Sequence, residues 1–209
     1  MSTLAADARL AAVAVVQQGV FTRKQATASG FSAAQIERRV RGDVWVRVLP
    51  RVYRPAATPA SSALSHWAAV LWAGPESALS HASAAAIWRI HGAMLGRPEL
   101  IVPNTRAPRV RGVLVHRVTR IDDEDVLRVG RLPVTSPVRT IIDLAGVLGA
   151  GDLERALQSA RSHRLVTIRA VRARLDEIGS VGRPGAASLR MLLAAIGSGR
   201  VDPSARMAG

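Results

Sequence analysis

Residues 22–54, TRKQATASGFSAAQIERRVRGDVWVRVLPRVYR, contain the start signals of two short helices. Thr22 and Gln25 form a T-x-x-Q capping box. Ser32 and Gln35 form a second box, S-x-x-Q, ten residues further along the chain. In each box the hydroxyl and the amide satisfy backbone N–H groups that are left open at a helix N-terminus. The spacing therefore predicts two helices that begin ten residues apart.

A glycine separates the two boxes and indicates a tight turn between the helices. With Gly30 at the turn, we expect helices at about 22–29 and 32–41, which is the pattern of a helix-turn-helix. On the second helix Ile36 and Val40 are four residues apart and should face the core. Arg38 and Arg41 are then expected to point largely away from the core, with Arg39 to one side.

A strand-like, basic segment follows this pair of helices. Between residues 44 and 54 valines alternate with other residue types around Pro50, and a period of two with a proline turn predicts a short hairpin. A further helix is expected before the pair, at about 4–17. Three helices followed by a hairpin predict an N-terminal winged helix-turn-helix over residues 1–57, in a chain of α+β class.

The arginines of the second helix and of the wing are candidate DNA contacts. Arginine can pair with guanine in the major groove, and wing arginines usually touch phosphate or the minor groove. Gln35 is ambiguous, because its capping role competes with reading a base. The predicted DNA-binding residues are Thr22, Arg23, Lys24, Ser32, Gln35, Arg38, Arg39, Arg41, Arg47, Arg51 and Arg54. The alternative, a merely solvated charged face, does not easily explain why the wing arginines lie in the same segment.

The charge of the chain supports a nucleic-acid partner. Its 209 residues include 29 basic and 15 acidic ones, which gives a net charge of +14 and a pI near 11.8. Only Lys24 is a lysine, so a GC-rich genome that favours arginine codons is an alternative source of part of this charge. The distribution of charge along the chain is more informative than the net charge: residues 1–55 hold nine basic and three acidic residues.

Several classes of protein are excluded or disfavoured by composition. No cysteine is present, which excludes disulfides and thiolate zinc sites and fits a cytoplasmic protein. The apolar stretch 8–16 contains Arg9 and is interpreted as a helix, not a signal peptide. The longest uncharged run, 55–75, contains prolines and would make a poor membrane span. We expect no membrane association.

The remainder of the chain predicts a mixed α/β domain over 58–148, C-terminal helices over 149–196 that pack on it, and a flexible tail over 197–209. A linker is expected at 56–62. Helices are predicted near 63–73, 80–91, 152–163, 167–178 and 185–196, with another that begins at Ser136-Pro137. Strands are predicted near 99–103 and 110–118, and residues 126–134 are expected to form either a strand pair or one bent strand.

No pattern indicates catalysis, a metal or a cofactor. The five histidines, His66, His81, His91, His116 and His163, match no metal-binding spacing and are interpreted as helix-start or interface residues. The acidic run 122–125 lacks the spacing of an EF-hand. It is interpreted as a solvated turn between strands, or as a partial counterweight to neighbouring arginines. We therefore expect a protein that is not an enzyme.

An ordered series of segments resembles a known family. These segments are GVFTRKQA through RVLPRVYRPA, SHWAAVLWAGPESALSHASAAAIW, ELIVP and LPVTSPVRTIIDLA, and the similarity spans roughly residues 10–196. The chain resembles the AbiE-type (type IV toxin–antitoxin) antitoxins of actinobacteria. The resemblance implies an N-terminal winged helix that binds operator DNA, and an α/β domain that acts against a nucleotidyltransferase-like toxin.

Two features depart from this family pattern. The wing turn of such sequences usually reads P-G-V-Y, whereas Arg51 follows Pro50 in this chain. Many relatives also continue into a very-short-patch-repair-like endonuclease domain, and this chain stops after GRPGAASLR and its short tail. Such a nuclease needs a carboxylate pair with a nearby lysine, but Lys24 lies in the helix-turn-helix. We expect the nuclease to be absent.

The leading functional hypothesis is a DNA-binding, antitoxin-like autorepressor of a toxin–antitoxin operon. Its expected partner is double-stranded operator DNA with an inverted repeat, with a functional link to a nucleotidyltransferase-like toxin. The alternative is the non-catalytic DNA-docking part of a truncated or split very-short-patch-repair-like endonuclease. A third, weaker possibility is that the winged helix serves for protein contact.

Overall fold

The computed structural model describes residues 3–92, 96–105, 109–179 and 183–197, and this part of the chain is α+β with two separate sheets. The predicted tail over 197–209 lies outside the described residues except for Gly197. The elements are α1 Thr3–Val15, β1 Phe21–Thr22, α2 Arg23–Ala28, α3 Ala33–Arg41, β2 Trp45–Leu49, β3 Val52–Pro55, α4 Ser62–Ala73, β4 Ala78–Leu79, α5 His81–Trp88, β5 Glu99–Pro103, β6 Leu114–Val118, β7 Val126–Val129, β8 Leu132–Thr135, α6 Pro137–Leu144, α7 Ala150–Ser162, α8 Ile168–Glu177 and α9 Ala186–Gly197.

Both predicted capping boxes are present, which confirms the starts of α2 and α3. The Gln25 backbone N–H donates to Thr22 Oγ1 over 3.1 Å, and the Thr22 N–H donates to Gln25 Oε1 over 2.8 Å. Likewise, the Gln35 backbone N–H donates to Ser32 Oγ over 3.2 Å, and the Ser32 N–H donates to Gln35 Oε1 over 2.8 Å. Each pair satisfies two backbone donors at the helix start, so these four side chains fix where the helices begin.

The turn between α2 and α3 requires glycine. Gly30 has φ +108°, a conformation that residues with a Cβ rarely adopt. Arg9 of α1 closes over the same turn, because its Nε and Nη2 donate to the Ser29 carbonyl at 3.0 and 2.7 Å. A Cβ at position 30 would lie 3.0 Å from Arg9 Nη2. The first helix therefore locks the angle between the next two.

A small sheet with strand order β1-β3-β2, all antiparallel, completes the N-terminal part. The predicted hairpin is confirmed, whereas no sequence pattern predicts the two-residue strand β1. Trp45 and Tyr53 are buried against Phe21, and the Phe21 and Trp45 ring centroids are 4.8 Å apart in an edge-to-face arrangement. Val44 is 51% exposed. Aromatic residues therefore build the core of this sheet.

The second sheet has strand order β6-β5-β4-β8-β7. Strands β5 and β6 are parallel, as are β4 and β8, and the remaining neighbours are antiparallel. Leu100, Val102 and Val134 are fully buried on the side that packs against α4. Helices α5 and α6 lie against each other and contact β5 and β8, respectively, and α7, α8 and α9 add a further helical layer.

Helix α4 connects the two parts of the molecule. It contacts all three strands of the small sheet and also β4, β5 and β8 of the larger one. Val20 and Val52 pack in the same cluster as Leu64 of this helix, so the N-terminal part and the following part share apolar contacts. His66 is buried in α4, and burial lowers its pKa, which keeps the imidazole neutral near pH 7.

Two predicted elements begin or end differently in the structure. The strand expected at 110–118 begins only at Leu114, because Val113 donates back to the Val110 carbonyl in a turn. The helix expected at 80–91 ends at Trp88, because Arg89 adopts a left-handed conformation with φ +57°. None of the helices described is long and apolar enough to cross a bilayer.

A buried ionic network joins the sheet to the C-terminal helices. Asp125 is 1% exposed at the end of a short 3-10 turn, Asp123–Asp125. Its Oδ2 accepts from Arg139 Nη1 of α6 at 2.7 Å and from Arg174 Nη2 of α8 at 2.8 Å, and its Oδ1 accepts from Arg174 Nε at 3.0 Å.

The interpretation of the run 122–125 as a solvated turn is therefore wrong for Asp125. Arg174 also binds Asp122 over 2.5 Å and Glu124 over 2.6 Å. The alternative that this run balances neighbouring arginines is the one that the structure confirms. Arg120, two residues before Asp122, is such a neighbour and pairs with it. Arg139 and Arg174 lie 14 to 52 residues from their carboxylates, so local sequence could not identify them.

Replacement of Asp125 by alanine is expected to lower the free energy of unfolding by about 3–5 kcal/mol, because it leaves two buried guanidinium groups without their shared partner. Urea denaturation followed by circular dichroism measures the change. Asp176→Ala is the control, since its ion pair with Arg190 is about half exposed and should change stability by less than about 1 kcal/mol. Equal effects of the two variants would contradict a structural role for the buried network.

Candidate nucleic-acid interface

Five cations of the N-terminal part are exposed to solvent. They come from α2, from the outer side of α3 and from the hairpin, and they are Lys24, Arg38, Arg41, Arg47 and Arg51. Ile36 is fully buried on the opposite side of α3, as predicted, and Val40 is partly buried beside it. The amphipathic pattern of α3 thus leaves two of its three arginines exposed.

Glu37 lies among these cations, and an ion pair with Arg23 offsets its negative charge. Arg23 Nη1 donates to Glu37 Oε1 over 2.6 Å. This hydrogen bond lowers the pKa of the Glu37 carboxyl, and the charges of Arg47 and Arg41 lower it further. One carboxylate thus lies among cations from α2, α3 and β2, which leaves this surface with an excess of positive charge.

The hairpin turn lies beside the start of α2. The Arg23 backbone N–H donates to the Arg51 carbonyl over 2.8 Å. Arg51 and Lys24 line one shallow depression together with Thr27. The tip of the hairpin therefore places the Arg51 side chain next to Lys24, and the two cations form a continuous patch.

The side chain of Arg39, which the sequence predicts to contact DNA, makes several contacts within the N-terminal part of the fold. Its Nη2 lies 2.9 Å from Asp7 Oδ2 of α1. Its guanidinium carbon lies 4.8 Å from the Phe31 ring centroid and 5.2 Å from the Trp45 ring centroid. Cation–π contacts and an ion pair hold it over the core. Helical spacing alone could not assign this arginine to the inner or the outer side.

Arg54 also serves the fold. Its Nη1 donates to the carbonyl groups of Pro55, Ala56 and Thr58, at 3.1, 3.0 and 2.5 Å. It therefore fixes the segment that leads from β3 towards α4. Only Nη1 of the guanidinium makes these bonds, so the wing contact that the sequence predicts for Arg54 stays a prediction.

The capping residues are occupied within their own helices. The carbonyl oxygen of the Gln35 side chain accepts from the Ser32 backbone. A bidentate pair with adenine needs both the oxygen and the amide nitrogen of a glutamine, so the capping bond competes with base reading. Thr22 is likewise a cap and accepts from the Gln25 backbone.

A second polar cluster, which the sequence patterns do not reveal, lies in the larger sheet. His81, Glu99 and His116 approach one another there, and His81 is the first residue of α5, as expected for a helix-start histidine. The three come from α5, β5 and β6, and no fixed spacing in the sequence connects them. Only the strand pairing could have predicted the cluster.

Neither protein-family models nor curated protein sequences match this chain. Among solved structures, the fold is similar to that of the RV2827C protein from Mycobacterium tuberculosis. The TM-score is 0.59 at 18% sequence identity, and the match covers 91% of this chain and 76% of that chain. At this level of identity the similarity concerns the fold alone.

Replacement of Arg51 by glycine is expected to stabilise the protein by about 0.5–1 kcal/mol. Arg51 has φ +63°, which costs an L-residue about 1–2 kcal/mol, and glycine removes most of this cost. The control is Arg47→Gly in β2, which should destabilise by about 0.5–1 kcal/mol, because Arg47 has no positive φ to relieve and glycine weakens a strand. The midpoint of urea denaturation measures both effects. A less stable Arg51→Gly protein would contradict the assignment of strain.

Proposed function

We propose that this chain is a DNA-binding protein and an antitoxin-like repressor of its own operon, with residues 1–57 forming a winged helix. The order of elements supports the proposal: a helix, a short strand, two capped helices and a hairpin that pairs with the first strand. The observation that carries it is the exposure of Lys24, Arg38, Arg41, Arg47 and Arg51 on α2, α3 and the hairpin.

In this proposal α3 enters the major groove. Arg38 and Arg41 are exposed on its outer side, and arginine is suited to pair with guanine O6 and N7 or to hold phosphate. The wing would carry Arg51 and Arg47 to the phosphate backbone or the minor groove. Glu37 would repel phosphate if it stood alone, and its bond to Arg23 offsets that charge.

The contacts within the fold narrow the set of proposed DNA contacts. Arg39 and Arg54 have partners within the fold, and Gln35 is occupied by its capping bond. Base reading is therefore assigned to Arg38 and Arg41. Affinity for the backbone is assigned to Lys24, Arg47 and Arg51, together with the N-terminus of α3, where open N–H groups favour phosphate.

A gel-shift assay with the promoter region of the chain's own gene tests this proposal. The double variant Arg38→Ala with Arg41→Ala should bind at least about 30-fold more weakly, since each specific contact contributes about 1–3 kcal/mol. The slope of log K against log salt should fall by about 1 for each phosphate that the variant no longer neutralises.

The control removes the same charge elsewhere: Arg128→Ala with Arg169→Ala, both exposed and outside the N-terminal part. This double variant should retain most of the affinity for DNA, because the two charges that it removes lie outside the proposed interface. If the two double variants bind equally well, α3 is not the recognition helix. If wild-type protein retards no DNA at low salt, the winged helix serves another purpose, such as protein contact.

The antitoxin role is supported by the family resemblance and has its own test. We expect the neighbouring gene to encode a nucleotidyltransferase-like protein that arrests growth when expressed alone, and co-expression of this chain should restore growth. Restored growth with a chain that carries the Arg38→Ala and Arg41→Ala changes would separate the antitoxin activity from repression. A neighbouring nuclease fragment would instead favour the DNA-docking part of a split endonuclease.

A further inference from the structure

The strand pairing of the larger sheet brings together three residues whose side chains are able to bind a metal. His81 lies two residues after the end of β4, and Glu99 begins β5, the antiparallel neighbour of β4, so both lie at the same end of this strand pair. In the parallel pair β5–β6, Ile101 is opposite His116, which puts His116 on the same face as Glu99 and diagonal to it.

The side chains of these three residues are in direct contact. His116 Nε2 lies 2.8 Å from Glu99 Oε2. The His81 and His116 rings are stacked, with centroids 3.6 Å apart and planes at 20°. One potential ligand atom from each residue lies within 4.8 Å of the other two. Among the described residues, no other group of three or more His, Asp or Glu side chains brings its potential ligand atoms this close together.

The backbone of His81 adopts an unfavourable conformation. It has φ +48°, in the left-handed region, where residues other than glycine are rare. The His81 residue is also buried, with only 6% of its surface exposed. Strain of this kind tends to be retained at functional sites.

A cavity of about 330 Å³ opens next to this cluster and is lined by His81, His116, Asp143 and Arg183. The Asp143 carboxyl is buried, and its Oδ2 has no hydrogen-bond partner within the described part of the chain. Burial raises the pKa of this carboxyl, although Arg139 Nε lies 2.8 Å from Oδ1. An unpaired buried acceptor is costly in an apolar protein interior. Asp143 therefore adds a polar group that the fold does not fully satisfy to the wall of the cavity.

We propose that His81, Glu99 and His116 bind a divalent transition metal ion of the zinc class, with a remaining coordination position directed to the cavity. Two histidines and one glutamate are a ligand set that zinc uses where it keeps one position for water or another ligand. The absence of cysteine leaves nitrogen and oxygen ligands, which suit this class of ion. The site is independent of the proposed DNA-binding function.

The hydrogen bonds around the cluster agree with this assignment. Ser80 Oγ lies 2.9 Å from His81 Nδ1, which leaves Nε2 as the coordinating atom of His81. The Glu99 backbone N–H donates to Ser83 Oγ over 2.9 Å, so the start of β5 is also fixed. Bonds of about 2.0–2.1 Å in a tetrahedron separate ligand atoms by about 3.3 Å. Binding therefore separates His116 and Glu99 slightly and tilts the stacked rings towards a common point.

Titration calorimetry of the untagged, metal-free full chain with ZnCl2 tests the site. We expect one Zn²⁺ per chain, with the affinity reduced at least about 10-fold in His116→Gln and in Glu99→Gln. Co²⁺ provides a second readout, since tetrahedral coordination by nitrogen and oxygen gives visible absorption bands that the two variants should lack. Circular dichroism and thermal unfolding establish that each variant is folded.

His91→Gln is the matched control. His91 and His163 form another histidine pair, with ring centroids 6.2 Å apart, where zinc could bind adventitiously. This variant should bind Zn²⁺ as tightly as the wild type. The proposal is overturned if wild-type protein binds less than one Zn²⁺ at micromolar concentrations, if folded His116→Gln and Glu99→Gln bind it unchanged, or if His91→Gln alone abolishes binding.

Discussion

The carboxylate of Asp125 is the constraint on which the arrangement of the larger sheet and its helices depends. It is buried, and it accepts from Arg139 of α6 and from Arg174 of α8 at 2.7 to 3.0 Å. Charged groups that are buried away from water are tolerated only when oppositely charged partners bind them with good geometry. The turn before β7 and both helices must therefore keep fixed relative positions. Arg139 also bonds to Asp143, a residue that lines the cavity beside the histidine cluster. One buried ionic network thus supports the wall of that cavity.

The arginines of this chain perform different tasks, and the total charge does not distinguish them. Arg139 and Arg174 are buried in the network, while Arg39 and Arg54 hold the N-terminal part together through carboxylate, aromatic and carbonyl contacts. These residues would be basic for structural reasons in any such fold. A nucleic-acid partner is therefore inferred from the exposed cations of the N-terminal part and not from the net charge of +14.

The predictable features of this protein are the local ones. The capping boxes at Thr22 and Ser32 and the cap at Ser136 each involve residues three apart, so the helix starts could be inferred directly. The roles of Asp125 and the cluster around His116 depend on pairs separated by 14 to 52 residues and on strand register. Patterns along the sequence contain no signal for such contacts. Arg39 shows the same limit, because its partner Asp7 lies on another helix.

The left-handed conformation of Arg51 is an unfavourable local feature at the tip of the hairpin. It costs about 1–2 kcal/mol relative to an unstrained residue, and glycine would adopt this turn without that cost. The side chain is exposed and makes no hydrogen bond or ion pair among the residues described, so it contributes nothing evident to the fold. What it does contribute is a cation at the hairpin tip beside Lys24. In the proposed DNA complex this exposed cation would contact the phosphate backbone, which has the complementary charge.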